Sequence, residues 1–169
     1  MFSRFPGGLS LRIGYWNING FNIKSLGNKF QQSEVLDIIN KHDVFGIVET
    51  HADSNSDLPI RDFRHYVKHR ENSKGKLNSG GIDVYIRKTI IGGTSFITTR
   101  NKNILWIKLD KSVFELDKDL YLGTVYISPN TSQVIDQELL DDIESEIVNF
   151  TLKGDVILQS DFNARTGSM

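Results

Sequence analysis

The chain contains no cysteine, which excludes a disulfide scaffold and any thiolate metal site. Its opening, MFSRFPGGLS, lacks the long apolar segment of a signal peptide. No apolar run elsewhere approaches the roughly 20 residues of a membrane span. The expectation is a soluble intracellular protein, nuclear or cytoplasmic. Two glycosylation sequons, Asn130-Thr131-Ser132 and Asn149-Phe150-Thr151, carry little weight without secretion. Net charge is only −1, so the whole molecule has no global attraction for nucleic acid. Several chemistries lack their motifs: there is no P-loop, no nucleotide-binding glycine fingerprint and no helical histidine pair for zinc. A G-x-S-x-G nucleophile elbow is missing too.

What remains reads as one domain, since 169 residues suffice for a substantial core. Charge is unevenly distributed. Arg61, Arg64, Lys68, Arg70, Lys74 and Lys76 face only Asp62 and Glu71, while 110–146 is strongly acidic. A basic stretch can attract phosphates locally, but taken alone this one reads first as a solvated surface stretch.

Strand and helix patterns alternate. Leu11 to Trp16 reads as a strand, followed by the polar turn NING. In 31–41, Val35, Ile38 and Ile39 share a helical face. VFGIV at 44–48 is a short buried strand, and GGIDVYIRK places Ile82, Val84 and Ile86 in period two. SFITT, ILWIKL and LYLGTVYI are rich in β-branched and aromatic residues. A second helix carries the stripe Ile135, Leu139, Leu140, Ile143 and Ile147, capped by Thr131 or Ser132 and ended by Lys153-Gly154 before a strand at 155–159. Segments 53–59 and 74–81 read as loops, and Trp16 and Trp106 as core. The expected class is a layered α/β domain with more strands than helices.

Polar residues gather where these strands end: Asn17 and Asn19 after the first, Glu49 after VFGIV, Tyr126 and Asn130 around Pro129, and Asp161 and Asn163 after the last. Strand ends are where α/β layers collect ligands. Glu49 suits a hard divalent cation, which takes oxygen ligands and keeps several waters. Asp161 can accept a proton from an attacking water that Asn163 orients. Asn17 can position a carboxylate or phosphate oxygen without adding charge, and His51 can reach a substrate. Together they suit phosphodiester hydrolysis. Each also has a structural reading. Asp161, Asn163 and Asn19-Gly20 are common turn residues, Tyr126 is a packing residue, Glu49 a surface or capping carboxylate and His51 an exposed loop histidine. Gly80-Gly81 reads as a tight backbone path.

In order, the blocks GYWNINGFN, VFGIVETH, SGGIDVYIRK, LGTVYISPN and ILQSDFNARTG resemble the endonuclease/exonuclease/phosphatase superfamily, with particular similarity to apurinic-type endonuclease domains of LINE-like retrotransposons. The resemblance runs from about Leu11 to the last residues. It implies a four-layer α/β sandwich of two mostly antiparallel, mixed sheets with helices outside. It also implies cleavage of phosphodiesters or phosphomonoesters with magnesium or manganese. By position, Glu49 would be the metal carboxylate, Asn17 a member of the catalytic network with Asn19 beside it, and Tyr126 the phosphate-side tyrosine. Asn130 would contact substrate, and Asp161 and Asn163 would align the nucleophilic water. DNA is the implied partner.

Two departures accompany the resemblance. Val48 stands where the family often has glutamine. Family members also continue beyond the D-F-N block to an Asp-His pair, and none of His42, His51, His65 or His69 lies in a comparable motif. The expectation is therefore an extension at 1–10 followed, at 11–169, by the N-terminal two-thirds of such a domain, with an incomplete site and weak or absent activity alone. An apolar face or open sheet edge, covered by another chain or a second copy, is the structural corollary. The competing expectations are a non-catalytic fragment that binds protein or nucleic acid, and a phosphatase acting on small phosphoesters.

Overall fold

The computed structural model describes residues 10–23, 27–52, 58–68, 80–127 and 137–161. In order come β1 (Ile13–Asn17), β2 (Asn22–Ile23), β3 (Gly27–Asn28), α1 (Ser33–Asn40), β4 (Val44–Val48), β5 (Phe63–Lys68) and β6 (Ile82–Arg87). They are followed by β7 (Thr94–Ile97), β8 (Ile104–Leu109), α2 (Lys111–Phe114), β9 (Leu120–Tyr126), α3 (Gln137–Thr151) and β10 (Asp155–Asp161). Two four-stranded sheets run in the orders β1-β4-β6-β5 and β10-β9-β8-β7. Each contains one parallel pair, β1 with β4 and β10 with β9, and is otherwise antiparallel.

Side chains in a strand alternate faces, and this sorts the residues into layers. Val44 and Val48 of β4 and Ile82, Val84 and Ile86 of β6 point inward against Leu105, Ile107, Leu109, Leu120 and Leu122 of the other sheet. Their odd-numbered neighbours Phe45, Ile47 and Tyr85 point outward beneath Val35 and Ile39 of α1. Ile104, Trp106 and Val125 lie outward beneath Ile143 and Phe150 of α3. Helix, sheet, sheet and helix thus form the four layers. Each buried Val, Leu, Ile or Phe contributes about 1.5–3 kcal/mol, so this interdigitation dominates the stability of α1, which has only eight residues.

The observed elements depart from the sequence expectations in places. The basic stretch is not a continuous loop: 63–68 forms β5, the edge strand of the first sheet. The exposed charge of Arg64 suits an edge, where it opposes pairing with another sheet. Ile38 is 41% exposed; the buried stripe of α1 runs through Val35 and Ile39, with Leu36 packed beside them. In α3, Leu139, Ile143 and Ile147 face the sheet as expected, joined by Phe150. Ile135, Thr131 and Ser132 lie outside the described residues, as do 53–57 and 74–79 of the two expected loops. Leu58, by contrast, is buried. The backbone amides of Lys153 and Gly154 both donate to the Phe150 carbonyl at 2.9 and 3.0 Å, closing α3 where the sequence implied. Trp106 is fully buried, its Nε1 donating to Glu146 at 2.7 Å, while Trp16 is half-buried on the α1 side. Among the described residues no helix is long and apolar enough to cross a membrane.

Candidate active site

The two parallel pairs determine where the polar residues meet. β1 extends one residue beyond the expected strand and β10 two, so Asn17 and Asp161 are their last members rather than turn residues. Asn17 pairs in register with Val48, immediately before Glu49, and Asp161 pairs with Tyr126. Because both pairs are parallel, four strand ends point the same way. Period two turns Tyr15 and Asn17 toward the second sheet, together with Ile13. It turns Asp161 toward the first, together with Ile157. At these strand ends the sheets are joined by a side-chain bond: Asn17 Nδ2 donates to Asp161 Oδ2 at 2.8 Å across 144 residues of sequence.

The Asn17 side chain is held from its other end as well, since its Oδ1 accepts the Asn19 backbone amide at 3.1 Å. Asn19 is exposed and left-handed (φ 47°) and lies beside Asn17 through its backbone. Glu49 is half-buried and also left-handed (φ 54°). Its amide donates to the Gly81 carbonyl at 3.1 Å and its carbonyl accepts from Gly20 at 2.6 Å. Residues 50–52 after it are not helical, so it caps no helix there. His51 (φ 56°) is half-buried rather than an exposed loop residue. Its amide donates to the Gly80 carbonyl at 2.9 Å. The Gly80-Gly81 pair, at φ 91° and 93°, provides the tight path that the sequence suggested. A Cβ on Gly81 would stand 2.8 Å from Thr50 Oγ1, too close for any real side chain. Tyr126 is 5% exposed and belongs to the inter-sheet core while standing next to Asp161 in the ladder. Asn130 and Asn163 lie outside the described residues.

Tyr15 was not singled out in the sequence. Its hydroxyl is buried and makes no hydrogen bond of good geometry among the described residues, although the Asp161 backbone lies close to it. Burial, above all, pushes its pKa well up; the Asp161 backbone opposes this, and the charges of Asp161 and Glu49 add to the rise. The only sequence signal was its position two residues before Asn17, on the same face. Lys68, one of the basic-stretch residues, is half-buried instead of solvated. Its Nζ donates to the carbonyls of Asn101 and Ile104, and burial lowers its pKa against the opposing charge of Glu146. Arg61 and Arg64 are exposed, whereas Arg70, Lys74 and Lys76 lie outside the described residues.

Among the described residues no three His, Asp or Glu side chains gather closely enough to cage an ion. Glu49 and Asp161 nevertheless supply hard oxygen donors at neighbouring strand ends. Magnesium binds through one or two carboxylates and keeps several waters, so this donor set fits it.

A half-buried groove of about 500 Å³ runs between the edges of β1 and β10, lined chiefly by Leu11, Ile13, Tyr15 and Ile157, with Arg12, Lys41 and His42 at its rim. Neither strand has a neighbour on its outer edge among the described residues.

Residues 14–148 match the model of the Endonuclease/Exonuclease/phosphatase family. The chain belongs to that family, and its sheets have the family's mixed, mainly antiparallel form. No curated protein matches the sequence. Among solved structures, the human Nocturnin catalytic domain with a bound sulfate anion aligns over 92% of this chain and 64% of its own, at 12% identity and TM-score 0.60. TDP2 from Caenorhabditis elegans aligns over 92% of this chain and 48% of its own, at 13% identity and TM-score 0.55. At such identities the likeness concerns the fold. The chain spans less than two-thirds of the length of either structure.

Proposed function

We propose that this chain carries the site of a metal-dependent phosphodiester hydrolase of the DNA-endonuclease type, related to retroelement endonucleases. The observation that carries the reading is the Asn17–Asp161 bond, which joins the two sheets where Tyr126 ends β9 and Glu49 follows β4. A hydrolase of this kind needs a carboxylate to receive or align a water proton and a neutral donor to hold that carboxylate in place. Asp161 and Asn17 have those properties. Asn163, two residues on, is the natural partner for orienting the water. Glu49 would hold magnesium or manganese, with Asp161 beside it. The cation, when bound, would neutralise charge developing on the phosphate oxygens. Tyr126 would face the phosphate, with Asn19, His51 and Asn130 as substrate contacts. The retroelement relation rests on the order of the sequence blocks, and DNA as partner rests on that relation.

The test is nicking of supercoiled plasmid by purified protein with magnesium and with chelator, beside Glu49→Ala and Asp161→Ala. Because the site resembles the family's only as far as the D-F-N block, the expected result is at most weak magnesium-dependent nicking, lost in both variants. Nicking that survives both substitutions refutes the assignment. Turnover of small phosphoesters without nicking would make the protein a phosphatase instead.

A second reading has its own observation. The groove between the open edges of β1 and β10 offers an apolar floor to another polypeptide, either a second copy or a different chain. Folded protein without hydrolytic activity, but with a salt-insensitive protein complex or dimer, would favour this binding role over catalysis. Salt-sensitive DNA binding would instead favour phosphate contacts.

A further inference from the structure

Asp83 is fully buried on the α1 side of β6, next to the apolar cluster that contains Tyr85. A carboxylate in such a place is unfavourable unless its oxygens are engaged. One oxygen accepts from Thr50 Oγ1 at 2.6 Å and the other pairs with His65 Nε2 at 2.5 Å. His65 is in turn stacked on Tyr85, with ring centroids 4.6 Å apart and planes 1° from parallel, and Tyr85 Oη donates to the Leu58 carbonyl at 2.8 Å. Asp83 is thus held rigidly, and the group it holds is Thr50, itself completely buried. Thr50 stands between Glu49 and His51, two non-glycine residues in left-handed backbone conformations. Such conformations persist only where the surroundings impose them.

Resting on the metal role proposed for Glu49, we infer that Thr50 and Asp83 are positioning residues that hold the Glu49 backbone left-handed and so aim its carboxylate at the cation. The Thr50 hydroxyl anchors the middle of the turn to β6. The amides of Glu49 and His51, bonded to Gly81 and Gly80, anchor its flanks. Without the central anchor, Glu49 relaxes toward an ordinary backbone conformation and its carboxylate swings away. An apolar residue at 83 would pack in the same layer, so packing alone does not account for the aspartate.

The test uses Mn2+ alone as probe, with binding measured by calorimetry or electron paramagnetic resonance on wild type, Glu49→Ala, Thr50→Val and Thr50→Ser. Thr50→Val keeps the shape and removes the donor; Thr50→Ser keeps the donor. Groups that orient a metal ligand typically change affinity on the order of 10–100-fold when lost, so Thr50→Val should weaken Mn2+ by about tenfold or more. Thr50→Ser should stay within about threefold of wild type, since its hydroxyl still reaches Asp83. Should Thr50→Val not fold, Thr50→Ala serves in its place, because it leaves room for water to reach the Asp83 oxygen. Backbone amide exchange at Gly20, Glu49 and His51 should also accelerate in the Val or Ala variant while β9 amides do not change. Folded Thr50→Val or Thr50→Ala with wild-type Mn2+ affinity overturns the inference. Wild-type protein without Glu49-dependent Mn2+ binding overturns the metal role itself, and the positioning role with it.

Discussion

Replacing Gly81 by alanine separates backbone strain from side-chain collision at the turn beneath Glu49. Gly81 has φ 93°, and an added Cβ would lie 2.8 Å from Thr50 Oγ1. Gly27 provides the control: its φ is 74°, but nothing among the described residues lies within 4 Å of an added Cβ. Left-handed backbone costs an alanine about 1–2 kcal/mol, and the loss of unfolded-state freedom affects both variants alike. Gly27→Ala should therefore be destabilised by about 1–2 kcal/mol at most. In Gly81→Ala the Thr50 hydroxyl must also retreat from Asp83, a buried carboxylate it meets at 2.6 Å. Leaving such an acceptor short of its donor adds about 1–3 kcal/mol, for a total of about 2–5 kcal/mol. Urea unfolding at neutral pH, followed by the fluorescence of Trp16 and Trp106, measures both variants against wild type. A Gly81→Ala protein no less stable than Gly27→Ala would refute the claim that the Gly81 backbone makes room for the Thr50–Asp83 contact.

Other substitutions address the site and its support. Asn17→Ala removes a partly buried hydrogen bond to Asp161 and an exposed one from the Asn19 amide and should cost about 1–3 kcal/mol; under the proposed function it should abolish nicking, and retained nicking would remove Asn17 from the machinery. Tyr15→Phe deletes a buried hydroxyl that makes no well-formed hydrogen bond among the described residues, so it should not lower stability; a loss above about 1 kcal/mol would show that its contact with the Asp161 backbone is a stabilising bond. At the opposite end of β4, burial would raise the Asp43 pKa, but hydrogen bonds from the Arg12 side chain and backbone, with the charges of Arg12 and Arg87, outweigh it and hold the carboxyl below its ordinary range. A depressed folded-state pKa stabilises above the unfolded value of about 3.9, and that contribution disappears as pH falls through the folded value. Asp43→Asn should therefore be less stable than wild type by about 1–3 kcal/mol at neutral pH, with the gap closing below about pH 4 in urea titrations; a pH-independent gap would refute this assignment.

Much of the architecture was legible because hydrophobic period is a local property. VFGIV, ILWIKL and the alternation of Ile82, Val84 and Ile86 identified β4, β8 and β6 directly, and the stripe of Leu139, Ile143 and Ile147 identified the packed face of α3. Asn17, Glu49, Tyr126 and Asp161 stood out in the sequence for the same reason: they end or directly follow strands, and their blocks occur in the family's order. β5 was not. Its Arg, His and Lys read as solvated surface, and only pairing with β6 makes that alternation an edge strand. Ile38 was misassigned because three apolar residues close in sequence do not all fit beneath one short helix, and packing selected Val35 and Ile39.

The sequence by itself determined the layered α/β class, the family and the polar strand ends, since each depends on residue order and periodicity along the chain. Tertiary structure alone decided that Asn17 would bond Asp161, 144 residues away, because that contact requires two parallel pairs in separate sheets to end in register. It also decided that Tyr15 is buried beside them, that Lys68 is tied across to the second sheet and that Asp83 grips Thr50. Those partners lie far apart in sequence, and no local pattern encodes which of them the closing of two sheets brings face to face.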